Sequence, residues 1–319
     1  MKHVVTFGGG SGHSQVLKAL KQLEDIRITG ICPSTDSGGS TGILQNEYDG
    51  SGYTGDVTKC IAALCEDELL AKTLMFRYEN GPLHSHSVKN VLFHALEKVG
   101  GYEEAPKLMG RLCGLGDHRI LPVTNEKTEL CARLNIGNTI SGETNIDMIA
   151  KNPLWNPSVH SISDIYLKPE VSASIATLDA IEKSDYIIIC PGDLYSSIIP
   201  TLLPKGVKEA IQKSNSKIIL ILNIMTKKGE TDNYTAADFV ESIEKRLGRN
   251  ADYIICNNAT IPNEVLLKYS LESKGILDLF NKSEDPRVIS APLVLITEGN
   301  QIFSDPDVIR DTIEIILKV

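Results

Sequence analysis

The feature that most constrains this chain is its opening. A short apolar run, Val4–Phe7, breaks on Gly8-Gly9-Gly10-Ser11-Gly12, and Val16, Leu17, Leu20 and Leu23 then recur at helical spacing. A second apolar run, Ile28–Cys32, leads to a second small-residue loop, Ser37-Gly38-Gly39-Ser40-Thr41-Gly42. Strand, helix and strand in that order predict a parallel sheet covered by helices. The alternation returns later. Tyr186–Cys190, Lys217–Leu222 and Tyr253–Cys256 read as strands. Helices are expected through Ile198–Leu203 and at Val207–Lys213, Ala236–Leu247, Val265–Ser270 and Asp307–Leu317, with Val288–Leu295 of mixed character. In the first half, Asn46–Gly55 reads as an exposed mobile loop and Asp56–Leu70 as helical. Ser87–Val99 reads as a helix with Val88, Val91, Leu92, Ala95 and Leu96 on one face. From about 120 to 170 helical periodicity fades, and Leu130–Leu134, Thr139–Ile140 and Val159–Tyr166 suggest a small β-rich insertion. No repeat or long linker interrupts the pattern, so one α/β domain is expected over residues 1–319.

The net charge of −9 argues against a general nucleic-acid binder, which carries a basic footprint, but leaves room for a local amide-lined anion pocket. The chain enters a strand directly after Met1 without a cleavable apolar leader, and no run of 18 apolar residues occurs, so a cytoplasmic protein away from membranes is expected. Seven cysteines, an odd number without a CxxC pair, read as reduced thiols serving as small hydrophobes.

Loops at the carboxyl ends of parallel strands converge on one crevice, and five candidates fall there. Gly9, Gly10, Ser11 and Gly12 would let backbone amides approach an anion at a helix start. The dinucleotide fingerprint is broken because His13 stands at its third glycine, which weakens an NAD-binding reading. Asp36, before Gly38, Gly39 and Ser40, follows the second strand, where an acid can hold a ribose or a hydrated Mg²⁺. Asp56 sits at a helix start, as an N-cap or as a second ligand to a cation shared with Asp36. His84 and His86 lack a third imidazole or thiolate at zinc spacing. His86 and Asn90 are four apart and are expected to point together into a pocket at the start of a helix capped by Ser87. Gly192, Asp193, Tyr195 and Ser196 after one strand, with Asn223 and Thr226 after the next, offer hydrogen bonds to a base or sugar. There is no GxSxG elbow, so a Ser-His-Asp hydrolase fits poorly.

Taken in order, GGGSG, TDSGGSTG, GDVTKC, LHSHSVKN, PGDLYSSIIP and NIMTKKGET resemble the YvcK-like proteins, the gluconeogenesis-factor group of the CofD-like superfamily, over nearly the whole chain from Val4 to about Leu317. The resemblance implies a three-layer α/β/α Rossmann-like fold. It implies a cytoplasmic, self-associating protein that binds UDP-sugars such as UDP-N-acetylglucosamine and supports central carbon metabolism and cell-wall or cell-shape control. The distant CofD branch implies an alternative: a Mg²⁺-dependent transfer of a 2-phospho-L-lactate group from a guanylylated donor to a deazaflavin, with the metal on Asp36 and Asp56. Tyr269 matches a family tyrosine that stacks on the base. The chain departs from the family pattern at Ser37, Thr58, Lys59, Ser85, Lys89 and Phe303. The lost arginines are those of a diphosphate grip, for which Lys59 or Lys89 would substitute as point charges. No catalytic residue is assigned. A nucleotide-sugar-binding regulator, a Mg²⁺-dependent transferase and an NAD-binding protein are the readings carried forward.

Overall fold

A computed structural model describes residues 1–152, 154–271, 275, 277 and 285–318. Its strands are β1 (Lys2–Phe7), β2 (Ile26–Cys32), β3 (Arg119–Pro122), β4 (Glu129–Leu134), β5 (Thr139–Ser141) and β6 (Ile162–Lys168), then β7 (Tyr186–Ile189), β8 (Lys217–Ile221), β9 (Tyr253–Asn257), β10 (Val288–Ala291), β11 (Val294–Ile296) and β12 (Ile302–Ser304). Seven of them form one sheet in the order β10-β9-β8-β7-β1-β2-β3, every pair parallel. Buried on both faces, these strands read as unbroken apolar runs. Alternate side chains then feed two cores. Val4, Ile28, Ile188 and Ile219 join one; Val5, Phe7, Ile31, Ile187 and Ile218 join the other.

Helices α1 (Gly10–Leu20), α2 (Gly39–Tyr48), α3 (Thr54–Leu64), α4 (Glu68–Met75), α5 (Val88–Gly100) and α6 (Ala105–Leu112) follow β1 and β2. The first core takes Leu17 and Leu20 of α1, Ile61 of α3, Phe93 of α5, Met109 of α6 and Ile313 of the last helix. On the opposite face lie the helices at 175–182, 207–213 and 236–247, and an antiparallel sheet in the order β5-β4-β6. This is the expected three-layer α/β/α arrangement with its β-rich insertion. A short helix of that insertion, α7 (Glu143–Asp147), buries Ile146 in the second core.

Several expectations need correction. Of residues 46–55, expected as an exposed mobile loop, only 46–49 are exposed, and α2 runs through Tyr48; Ser51 and Tyr53 are buried, the Ser51 hydroxyl donating to Glu97. Ser40 and Thr41 are buried inside α2, so the second glycine loop is shorter than its composition suggests. The helix expected over Asp56–Leu70 breaks between Leu64 and Glu68, where the Asp67 side chain caps a new helix by accepting from the Leu70 amide. Arg119–Pro122 belongs to the central sheet, so the insertion begins after it, and its third strand starts at Ile162 because Pro157–His160 forms a helical turn. The segment expected as a helix over Ile198–Leu203 is a wide turn, Leu194–Ile198, running into a tight one, Ile199–Thr201. Residues 288–295 divide between parallel β10 and a hairpin formed by β11 and β12.

The strand order fixes where a ligand would sit. From β1 the chain steps outward through β2 and β3; from β7 it steps the other way through β8, β9 and β10. The loops leaving β1 and β7 therefore diverge, and the crevice of such a sheet opens at that switch point.

Candidate functional site

The loop after β1 is shaped by close approaches. Gly10 has φ +62°, in the left-handed region, and a Cβ added there meets nothing within 4 Å. A Cβ at Gly9 would lie 2.8 Å from Asp56 Oδ2, and one at Gly12 would overlap the Pro191 carbonyl oxygen in the loop after β7. Glycine at Gly12 is thus what lets α1 start against the neighbouring switch-point loop. Gly9, the N-cap residue of α1, supplies no side-chain cap. The Gly10 amide donates to Asp56 Oδ1 at 2.7 Å, and Lys59 Nζ donates to Ser11 Oγ at 2.8 Å.

Asp56 is therefore not an N-cap. It lies in the first turn of α3, with Tyr53 at the cap position, and its carboxyl crosses to the glycine loop. Asp36 Oδ1 accepts the Gly38 amide at 2.9 Å, closing the second loop. A third acid joins them from the insertion. Ser37 Oγ accepts the Thr144 amide and meets the Thr144 hydroxyl, both at 3.1 Å, which sets the start of α7 and its Glu143 on this loop. Burial, then the charge of Asp36, pushes Asp56 up to about 7; burial, then Asp36 and Asp147, pushes Glu143 up to about 8; burial raises Asp36 itself. The acids share a site in which their full ionisation is opposed.

Cations stand beside them. Lys89 is buried, and Nζ donates to the Gly55 carbonyl (3.1 Å), Thr58 Oγ1 (2.8 Å) and Asn90 Oδ1 (2.7 Å). Burial, then the Lys59 charge, brings its ammonium down to about 8. His86 Nδ1 meets Ser40 Oγ at 3.0 Å, so His86 engages α2 while Asn90 faces α3; the two do not converge as a pair. Ser87 occupies the N-cap position of α5 without capping it. Its hydroxyl and that of Thr35, beside Asp36, are buried and lack a hydrogen-bond partner.

Across the switch point, Asn223 binds Gly192 twice: Oδ1 accepts the Gly192 amide at 2.9 Å and Nδ2 donates to its carbonyl at 2.6 Å. Lys227 gathers Asp147, Asp193 and Glu230 around its ammonium. Against the cost of burial, Glu230 and Asp193 hold Lys227 well above the ordinary lysine range. Glu230 accepts from the Tyr195 amide at 2.8 Å and from the Ser196 hydroxyl at 2.7 Å. The Tyr195 hydroxyl meets that of Tyr234 at 2.7 Å. These groups hold the loop together and leave fewer donors for a ligand than their sequence pattern suggests. Thr226 bonds to the Gly275 backbone, and the Tyr269 hydroxyl accepts the Ile302 amide at 2.8 Å on the β11–β12 hairpin.

The structure thus gathers Gly9 to Gly12, Asp36, Gly38, Asp56, Lys59 and Lys89 around the first two loops, with Asn90 behind them and Gly192, Asp193 and Asn223 across the switch point. Glu143 was missed because nothing near it in sequence marks it. Lys227 and Glu230 were missed although the NIMTKKGET motif contains both.

Comparison with known proteins shows what the whole chain is similar to. A family model described as 2-phospho-L-lactate transferase CofD matches residues 4–294. The protein named gluconeogenesis factor from Halalkalibacterium halodurans is 35% identical over 276 residues, covering 85% of this chain and 82% of that protein. The gluconeogenesis factor of Bacillus subtilis is 34% identical over 280 residues, covering 86% of this chain and 84% of its own length. A crystal structure of a UPF0052 family member from Bacillus halodurans superposes with a TM-score of 0.89 at 31% identity, covering 98% of this chain and 99% of the other.

Proposed function

The chain belongs to the CofD family, alongside relatives named gluconeogenesis factors, and from that membership we propose that it is a nucleotide-sugar-binding regulator of central carbon metabolism with a role in cell-wall and cell-shape control. Its ligand is a UDP-sugar of the UDP-N-acetylglucosamine type. The observation that carries this reading is the glycine loop at the switch point, where α1 starts without a side-chain cap; the hydroxyls of Thr35, after β2, and Ser87, at the start of α5, are buried without a partner. A helix start of this kind attracts a diphosphate, and small hydroxyls suit a sugar. Lys59 is positioned to stand in for a missing family arginine, its ammonium already on Ser11.

A second reading rests on the acids. Asp36, Asp56 and Glu143 offer hard carboxylate oxygens; burial raises all three, and for Asp56 and Glu143 the charge of neighbouring acids adds to it, a repulsion that a bound cation would relieve. Mg²⁺ fits that donor set; bound there it would offset the charge of a diphosphate and of a phosphate leaving in a CofD-type transfer. The chain's own residues would hold the ligand, with one oxygen of Asp36 kept on the Gly38 amide and one of Asp56 on the Gly10 amide.

A thermal-shift panel of UDP-N-acetylglucosamine, UDP, GTP, GDP and NAD, each with Mg²⁺ or EDTA, tests both readings. A ligand at 100 times its Kd adds about 2.7 kcal/mol, a rise of several degrees. We expect UDP-sugars to give that rise and NAD to give none. If UDP-sugar binding is indifferent to EDTA and to Asp36→Asn, the transferase reading fails; if no uridine compound shifts the protein, the regulator reading fails.

A further inference from the structure

Beneath the glycine loop lies a cluster that the phosphate site does not use. His13 of α1, Cys32 at the end of β2 and Cys60 of α3 are each 0% exposed. His13 Nδ1 stands 3.4 Å from Cys60 Sγ and 3.9 Å from Cys32 Sγ, and the three donor atoms all lie within 4.8 Å of one another. We propose that His13, Cys32 and Cys60 form a binding site for one thiophilic divalent cation of the zinc class.

The spacing suits it. Zinc–nitrogen and zinc–sulfur bonds in a tetrahedron place nitrogen and sulfur about 3.6 Å apart. The observed separations bracket that value. The ring is oriented for the role: Nε2 meets Thr6 Oγ1 at 2.7 Å, the kind of outer hydrogen bond that fixes a ligating imidazole. The Gly8 carbonyl accepts a hydrogen bond from Nδ1 at 2.7 Å in the metal-free ring, and once that proton has moved it would draw back slightly to become a fourth donor. Charge decides the class of cation. Two thiolates and a neutral imidazole around a divalent ion sum to zero, the state that a fully buried site tolerates best. Binding releases the two thiol protons and moves the imidazole proton from Nδ1 to Nε2. Packing alone accounts for small buried thiols. It does not account for three elements directing a ring nitrogen and two sulfurs at one point.

The site would act as a clasp. Cys60 sits one turn after Asp56 on the same face of α3, Cys32 ends the strand leading to Asp36, and His13 follows the glycine loop. The cation would tie together the three segments that carry the candidate phosphate site, whatever ligand that site takes.

The test is cobalt titration of the full-length chain, purified with reductant and freed of metal by chelation. We expect one Co²⁺ per chain, a near-ultraviolet sulfur-to-cobalt charge-transfer band that carboxylates do not give, and displacement by zinc. Cys60→Val and Cys32→Val, which keep the core apolar, should each remove the band, while Cys131→Ser should retain it. Should one valine variant fail to fold, the other carries the assignment. Absence of the band in the wild-type protein, or its survival in a folded valine variant, overturns the proposal.

Discussion

Asp56 accepts the Gly10 amide proton and stands near Asp36 and Glu143, so its charge depends on what else occupies the crevice. With its carboxyl at about 7 in the fold against an ordinary value of 3.8, the native state holds a proton that the unfolded chain has lost over that interval. Stability from this group is therefore greatest below about pH 4 and declines as pH rises through about 7. Asp56→Asn keeps an acceptor for Gly10 without the charge. At about pH 8 and without divalent cation it should be more stable than the wild type by roughly 1–3 kcal/mol, the gap closing in acid. Added Mg²⁺ should raise the melting temperature of the wild type and leave the variant unmoved. Thermal unfolding across pH, with and without Mg²⁺, reads both effects. The sequence marked Asp56 as worth attention because it follows a glycine at a helix start, yet it could not show that the carboxyl crosses to a loop 46 residues away.

The meeting of α1 with the loop after β7 makes an element-scale test. Alanine at Gly12 would drive a Cβ into the Pro191 carbonyl, which is backbone and yields only if the two loops part. We expect Gly12→Ala to cost about 1–3 kcal/mol in urea unfolding and to abolish ligand binding. Gly10→Ala meets no neighbour and carries only the left-handed backbone penalty, roughly 1 kcal/mol. Equal losses in the two variants would show that the close approach does not matter. The strands behind these loops were legible because β1, β2, β7, β8 and β9 are buried on both faces and so are written as apolar runs. β3 was not: it is four residues long and begins at exposed Arg119, so it merged with the insertion that follows. The glycine loops were legible because both elements of each strand–helix turn are adjacent in sequence. Glu143 and the His13–Cys32–Cys60 cluster were not, since only tertiary packing brings their elements together.

At the scale of the molecule, one cation joins the insertion to the sheet. Lys227, after β8, binds Asp147 of the insertion, Asp193 after β7 and the buried Glu230. Lys227→Met would leave Glu230 without its counter-ion, and calorimetry should show a loss of roughly 3 kcal/mol with the fold retained. A variant as stable as the wild type would mean that the Lys227 ion pairs add nothing net to holding the insertion. No described helix is long and apolar enough to cross a membrane. The strand order and the divergence of the β1 and β7 loops make the switch point the expected seat for a ligand, and the proposed function rests on the glycine loop there taking the phosphates of one. Isothermal titration of the full chain with UDP-N-acetylglucosamine in Mg²⁺ puts that claim to the test most directly. The account predicts saturable binding at one site per chain, abolished by Gly12→Ala; a wild-type protein that gives no binding heat at any temperature tried, and no displacement of a uridine-diphosphate probe, would contradict it.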